Sequence, residues 1–117
     1  SVLEDPMLFK FKSAAASDLI MLEADARKLL KIMLGDDPVQ GIMRADALAA
    51  RMRTLEAAVA QDEALRKRLA EQVASGAGDA DEEDVPLDAV RLSQRATPML
   101  KLLQRCLKEE SDLVWGV

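Results

Sequence analysis

A long stretch of good helix-forming residues, from Ala45 to Val73, restricts the fold more than any other feature of the sequence. It contains neither proline nor glycine, so nothing within it is expected to end a helix early. A continuous helix over this stretch would have about 28 residues and a length of about 42 Å. A globular domain of this size has a radius of gyration of about 13 Å. We therefore expect the helix either to break or to project from the body of the domain.

The apolar positions of this stretch change phase near its middle. In the first half they alternate between spacings of four and three residues, at Leu48, Met52, Leu55 and Val59. The next position in that series is Asp62, and the apolar residues resume out of phase at Leu65, Leu69 and Val73. We predict a break, or a change of packing partner, near residues 61–63. The second half carries opposite charges four residues apart and is expected to be solvated on most sides.

Both ends of the chain show strand patterns. Apolar and charged side chains alternate over Met7–Lys12, which is typical of a half-buried strand. The apolar run in Asp18–Leu22 predicts a second strand, and the short connection between the two predicts an antiparallel hairpin. The segment Asp112–Val117 is short and rich in β-forming residues. We predict that it forms a third strand in the same sheet as the hairpin.

A helix is predicted over Glu23–Leu34, where apolar residues recur at helical spacing and acidic residues occupy the first turn. Gly35 follows at the usual place for a left-handed residue that ends a helix. After a turn, Val39–Met43 has the composition of a short extended segment.

The last predicted helix carries an apolar stripe from Leu92 to Leu107. Its start has two interpretations. In the first, Thr97 caps the helix and Pro98 is its first residue; in the second, Pro98 lies in the first turns of a helix that begins near Ser93.

These elements predict an α+β fold, in which a small antiparallel sheet (the N-terminal hairpin plus the C-terminal strand) is covered on one face by about three helices. Residues 7–117 are expected to form this single domain. We interpret Ser1–Pro6 as a remnant of cloning, because Met7 opens the first strand pattern. The glycine- and acid-rich residues at about 75–86 are expected to form a flexible acidic loop.

The charge and the cysteine content restrict the partners and the compartment. Without the two acids of the leader, the formal net charge of −5 becomes about −3. Five of the remaining acids lie in the predicted loop, at Asp79, Asp81, Glu82, Glu83 and Asp84. The rest of the domain is slightly basic, so no nucleic acid is expected as a partner. One cysteine favours a reducing, cytoplasmic location, and no apolar run is long enough to predict a membrane partner.

The sequence lacks the residues that several kinds of chemistry require. The chain has no histidine, which removes the usual base of serine and cysteine nucleophiles. With one cysteine and no histidine, no zinc site is predicted. Neither of the common glycine-rich phosphate-binding motifs occurs. With two phenylalanines, one tryptophan and no tyrosine, the chain also lacks a base-stacking platform. We predict no catalytic residue, no metal and no cofactor.

Four features have a functional interpretation beside a structural one. The acidic run could chelate a cation, but it lacks the spacing of a calcium loop, and we favour a solvated loop. Cys106 could be a reactive thiol, but it adjoins apolar helix positions, and we favour a core residue. A possible anion patch would combine Lys10, Lys12 and Arg95, although strand lysines more often keep an open sheet face soluble.

The fourth feature is the apolar seam of the long helix, which either packs in the core or receives a partner. The possible interaction surface comprises Leu48, Met52, Leu55, Leu65 and Leu69.

Five stretches of the sequence resemble a family of small uncharacterised bacterial proteins that is defined only as a domain of unknown function. They are Met7–Ser13, Asp18–Leu22, Thr54–Val59, Leu92–Ala96 ahead of Pro98, and Val114–Val117. The resemblance covers nearly the whole chain after the leader. It implies a bacterial origin and a native start at Met7, and it brings no site residues with it.

Two functional hypotheses follow. The first is a non-catalytic protein-interaction module that self-associates as a homodimer or binds a protein partner, through the long helix or a strand edge. The second is a small-ligand-binding protein or enzyme that uses carboxylate and lysine groups between the sheet and the helices. A pocket that joins two or more of the anion-patch residues would favour the second hypothesis.

Overall fold

The computed structural model describes residues 8–76 and 89–117. The predicted leader lies outside this range, as does nearly all of the predicted acidic loop. The strands are β1 (Leu8–Ser13), β2 (Ala16–Leu22), β3 (Gly41–Met43) and β4 (Leu113–Trp115). The helices are α1 (Glu23–Leu34), α2 (Leu48–Ala74), which a short 3-10 helix (Ala45–Ala47) precedes, and α3 (Leu92–Glu109).

The strands form one antiparallel sheet in the order β2-β1-β4-β3. β1 and β2 make the predicted hairpin, with Phe11 opposite Leu19. On its other side β1 pairs with β4, where Phe11 lies opposite Trp115, so the predicted union of the two chain ends in one sheet is confirmed. β3 pairs with the free side of β4, with Ile42 opposite Val114. The segment expected to be extended is therefore a fourth strand of the sheet.

The inner face of the sheet and the three helices share one hydrophobic core, so the predicted α+β fold is confirmed. The rings of Phe11 and Trp115 lie 5.9 Å apart at the centre of this face. The indole Nε1–H of Trp115 donates a hydrogen bond of 2.9 Å to the carbonyl oxygen of Pro38, which satisfies its polar atom. The buried helix residues are Ala26, Leu29, Leu30, Met33, Leu48, Leu55, Leu92, Ala96, Met99, Leu102, Leu103 and Cys106.

The helix α1 has the predicted bounds, and its end has the predicted cause. Gly35 adopts a left-handed conformation with φ of 83°, and its backbone N–H donates to the carbonyl oxygen of Lys31. Glycine adopts this conformation without the steric cost of a side chain. α3 begins at Leu92, so Pro98 lies inside the helix, in agreement with the second interpretation of its start.

The long helix α2 is continuous over 27 residues, about 40 Å at the usual rise per residue. It therefore projects rather than breaks, which decides between the two alternatives that its length left open. Val73, near its end, is 71% exposed, and the longest dimension of the molecule is 51 Å.

Asp62, which interrupts the apolar seam, binds the start of α3. The backbone N–H of Leu92 donates to Asp62 Oδ2 at 3.2 Å, and Arg66 Nε donates to the same oxygen at 2.8 Å. The first N–H groups of a helix have no acceptor within the helix, so a carboxylate there stabilises it. The helix continues through the phase change, so the predicted break does not occur, and the polar residue at that point contacts the start of α3.

We expect Asp62→Ala to lower the free energy of unfolding by about 1 kcal/mol, the usual cost of losing an acceptor at a helix start. The hydrogen bond from the Arg66 side chain, and the one from the Leu92 backbone, hold the pKa of Asp62 below its ordinary value of 3.8. The folded state therefore favours the carboxylate, and its contribution is complete above that value and declines as the pH falls through the lowered pKa.

Urea denaturation of the parent protein and of Asp62→Asn at neutral and at acid pH measures this dependence. The difference in stability should be present at pH 7 and should shrink toward zero once Asp62 is protonated. An equal difference at both pH values would show that the charge of Asp62 contributes nothing.

Candidate interaction surfaces

The outer face of the sheet, which no described helix covers, carries large apolar side chains. Leu8, Ile20, Leu22 and Ile42 are 49%, 52%, 53% and 46% exposed. The strand register makes them neighbours, because Leu8 lies opposite Leu22 and Ile42 lies opposite the half-buried Val114. We call these five residues, together with the two lysines of β1, the open sheet face. Leu8, Ile20 and Leu22 adjoin on β1 and β2, and Val114 adjoins Ile42 on β4 and β3. The two lysines of β1 lie between these two apolar groups.

Lys10 and Lys12 lie within the open sheet face, as the alternation of β1 predicts. Lys10 is opposite Ile20 on β2, and Lys12 is opposite Val114 on β4. Among the described residues neither lysine has an acidic partner. Their aliphatic stems can lie along the apolar surface while the ammonium groups remain in water.

Arg95 lies elsewhere, so the structure does not assemble the three-residue anion patch. It belongs to α3, and its guanidinium forms an ion pair with Asp25 of α1 on the helical side of the sheet. Alternation along β1 directs the two lysines to the opposite side of the sheet. The three bases therefore do not meet at one site. Lys10 and Lys12 nevertheless line one small pocket of about 270 Å³, together with residues that include Leu8 and Val39. The pocket thus joins two of the three residues, and Arg95 takes no part in it.

The predicted surface on α2 is divided by the packing of the helix. Leu48 and Leu55 are fully buried in the protein's own core, and Met52 packs against that core. Leu65 and Leu69 are half-buried in the second half of α2. Contacts of α2 with α1 and α3 thus occupy the first part of the seam and leave only the second part open to a partner.

A second concave surface lies between β2 and α3. This groove has a volume of about 550 Å³. Its strand side consists of Ala16, Ser17, Asp18 and Leu19, and its helix side consists of Pro98, Lys101, Leu102, Gln104, Arg105 and Lys108. No pattern in the sequence predicted this groove. The signal available was the recurrence of bases on one side of the last helix, but its position beside an edge strand follows from the tertiary fold.

The remaining candidates show no arrangement for chemistry. Cys106 is completely buried, and its thiol donates to Ser13 Oγ at 3.3 Å. Within residues 8–76 and 89–117, no three metal-binding side chains come together. None of the helices in those ranges combines the length and the apolar character needed to span a membrane. The acidic run Asp79–Asp84 lies outside the described residues.

Comparison with curated proteins and with solved structures finds no match. A family model does match, over residues 7–115, and its description is "Domain of unknown function (DUF1840)". The match includes every strand and helix of the fold described above. The chain therefore belongs to the DUF1840 family of domains of unknown function.

Proposed function

We propose that this protein is a non-catalytic interaction module that forms a homodimer through its open sheet face. The observation that carries the proposal is that this face exposes four large apolar side chains by about half, three of them adjoining on β1 and β2 and Ile42 on β3. The largest apolar patch on a monomer is typically a few hundred Å² and is often a functional contact site. A two-fold interface brings the same face of two copies together, so that the apolar side chains of one copy can meet those of the other.

The size of the face predicts a weak dimer. Strands spaced about 4.8 Å apart and rising about 3.3 Å per residue give a four-stranded face of roughly 400 Å² at most. Stable complexes bury about 800 Å² per partner. We therefore expect dimerisation in the micromolar range, so that protein concentration controls the fraction of dimer.

The paired substitution Ile20→Thr with Ile42→Thr tests the contact surface. Threonine keeps the β-branched shape that suits a strand but replaces apolar surface by a hydroxyl group. We expect the parent protein to shift from monomer to dimer in sedimentation velocity runs between about 5 and about 500 µM, and the paired variant to remain monomeric.

Val73→Thr is the matched control, because Val73 is exposed on the projecting end of α2. It should dimerise as the parent does, and circular dichroism should show the same fold for all three proteins. A parent that is monomeric throughout the concentration range contradicts the proposal. If Leu65→Glu with Leu69→Glu abolishes the dimer while the sheet variant keeps it, the contact surface is the long helix.

We further propose that the protein works in a reducing cytosol. The support is the unpaired thiol of Cys106, which lies in the core of the domain. The alternative of a small-ligand-binding protein or enzyme has one supporting observation, the small pocket that Lys10 and Lys12 line together. It has less support than the dimer, because Arg95 is engaged with Asp25 and contributes nothing to that pocket.

A further inference from the structure

The outer side of β2 is a free strand edge. β2 is at the end of the sheet order and pairs with β1 alone among the described strands. Every second residue of an edge strand directs its backbone N–H and C=O groups away from the sheet, where another extended chain can pair with them. At seven residues β2 is the longest strand described, so it offers several such groups in a row.

The helix α3 forms a basic wall beside this edge. Lys101, Arg105 and Lys108 all line the groove between α3 and β2. Arg105 donates to the carbonyl oxygen of Ala15 at 3.2 Å, which fixes its side chain next to the start of β2. Among the described residues, Lys101 and Lys108 have no acidic partner. Against these three bases the groove has one acid, Asp18, so its charge is positive.

The floor of the groove is apolar. It includes Leu19 of β2 and Leu102 of α3, which is only 5% exposed. A ligand that fills the groove therefore needs both apolar contact with the floor and negative charge for the wall. Glutamate combines the two, since its methylene groups can cross the floor while the carboxylate reaches a base.

We infer that the groove between β2 and α3 binds an extended acidic segment of a partner protein, which adds to the sheet as a strand beside β2. In such a strand, alternate side chains point to the same face and recur about every 6.6 Å. Lys101 and Lys108 are about 10.5 Å apart along the axis of α3. Two or three alternate acidic residues on the helical side of the added strand would therefore span the wall.

The side chains on the other face of the added strand determine which residues alternate with the acidic ones. Those residues of the added strand would lie beside Ile20 and Leu22, which are about half exposed on the outer face. The preferred segment thus alternates acidic with apolar residues. Strand addition of this kind obtains its affinity from backbone hydrogen bonds and its specificity from alternate side chains. The added strand would share Ile20 and Leu22 with the open sheet face, whereas the basic wall lies apart from that face, on α3.

The test uses the full chain and a fluorescein-labelled peptide of four Glu-Val repeats, followed by fluorescence polarisation. Lys101→Glu with Lys108→Glu should weaken binding at least about tenfold, because it reverses the charge of the wall. Lys67→Glu with Arg68→Glu on α2 makes the same change in net charge away from the groove. It should leave the affinity within about twofold, since exposed charges beyond a Debye length are screened.

Two N-methylated peptides test whether the ligand binds as a strand. One is methylated on every glutamate amide and the other on every valine amide, so each lacks the N–H groups along one edge only. Strand addition predicts that one isomer loses binding and the other keeps it. Equal binding of both isomers, equal loss in both charge-reversal variants, or no binding by the parent would overturn the inference. Tighter binding of a labelled eight-nucleotide DNA strand would also overturn it.

Discussion

Replacing Trp115 by alanine is expected to lower the free energy of unfolding by about 3–5 kcal/mol, the range for removing a large aromatic side chain from a core. Trp115 is 1% exposed, and its ring packs on Phe11 at the centre of the sheet. The substitution also leaves the carbonyl of Pro38 without its donor. Small domains have a total stability of about 5–15 kcal/mol, so this loss is a large fraction of the whole.

Urea denaturation followed by circular dichroism measures this effect, because the variant lacks the chain's one tryptophan and cannot be followed by its fluorescence. Val117→Ala serves as the control, since Val117 is exposed close to Trp115 in the sequence. It should change the stability by less than about 0.5 kcal/mol. A loss below about 1 kcal/mol for Trp115→Ala would mean that the indole does not occupy the packed position described here.

A second large effect is expected from Gly41→Ala in β3. A Cβ atom at position 41 would lie 2.5 Å from Cζ2 of Trp115, well inside the distance of van der Waals contact. Because the indole is buried and held by Pro38, it has no free space into which to move. We expect a loss of about 1–3 kcal/mol, the usual cost of overpacking a core.

The same contact predicts a suppressor. Trp115→Phe removes the part of the indole that meets the new Cβ, so Gly41→Ala should cost less in the phenylalanine background. The coupling between residues in direct contact is typically about 0.5–3 kcal/mol, and it can be measured from four denaturation curves. If the two losses simply add, then the clash between the Cβ and the indole is not the cause of the instability.

The elements that the sequence predicted well are those with local causes. The hairpin follows from alternation along β1 and from the short connection to β2. The bounds of α1 follow from helical spacing and from Gly35, which can adopt the left-handed conformation that ends the helix. Each of these signals lies within about one element length of the structure that it specifies, so no tertiary information is needed.

The order of the strands in the sheet was harder to predict from the sequence. β3 has three residues, too few to establish a period, and its pairing with β4 joins segments that are distant in the sequence. Asp62 shows a related difficulty in α2. A polar residue in an apolar seam predicts a break when the helix is considered alone, but here its carboxylate accepts the N–H of Leu92 at the start of α3.

The candidate surfaces divide in the same way. Alternation was enough to direct Lys10 and Lys12 to the uncovered side of the sheet. The spacing of apolar residues in α2 did not show that Leu48 and Leu55 are buried in the protein's own core. An apolar seam that faces a core and one that faces a partner have the same spacing. No local sequence pattern could predict the groove, because it forms only where the edge of β2 meets α3 in the folded protein.

The central position of β4 in the sheet has a consequence for folding during synthesis on the ribosome. Elements emerge in chain order, so the hairpin, β3 and all three helices are synthesised before the strand that holds β1 and β3 together. Until then both strands keep an unpaired inner edge, and the ring of Phe11 lacks its main partner. The nascent chain thus exposes unpaired strand edges and an aromatic ring until β4 is made, which makes it prone to aggregation during synthesis. Chaperones that bind exposed strands and aromatic groups are expected to act on it in this period.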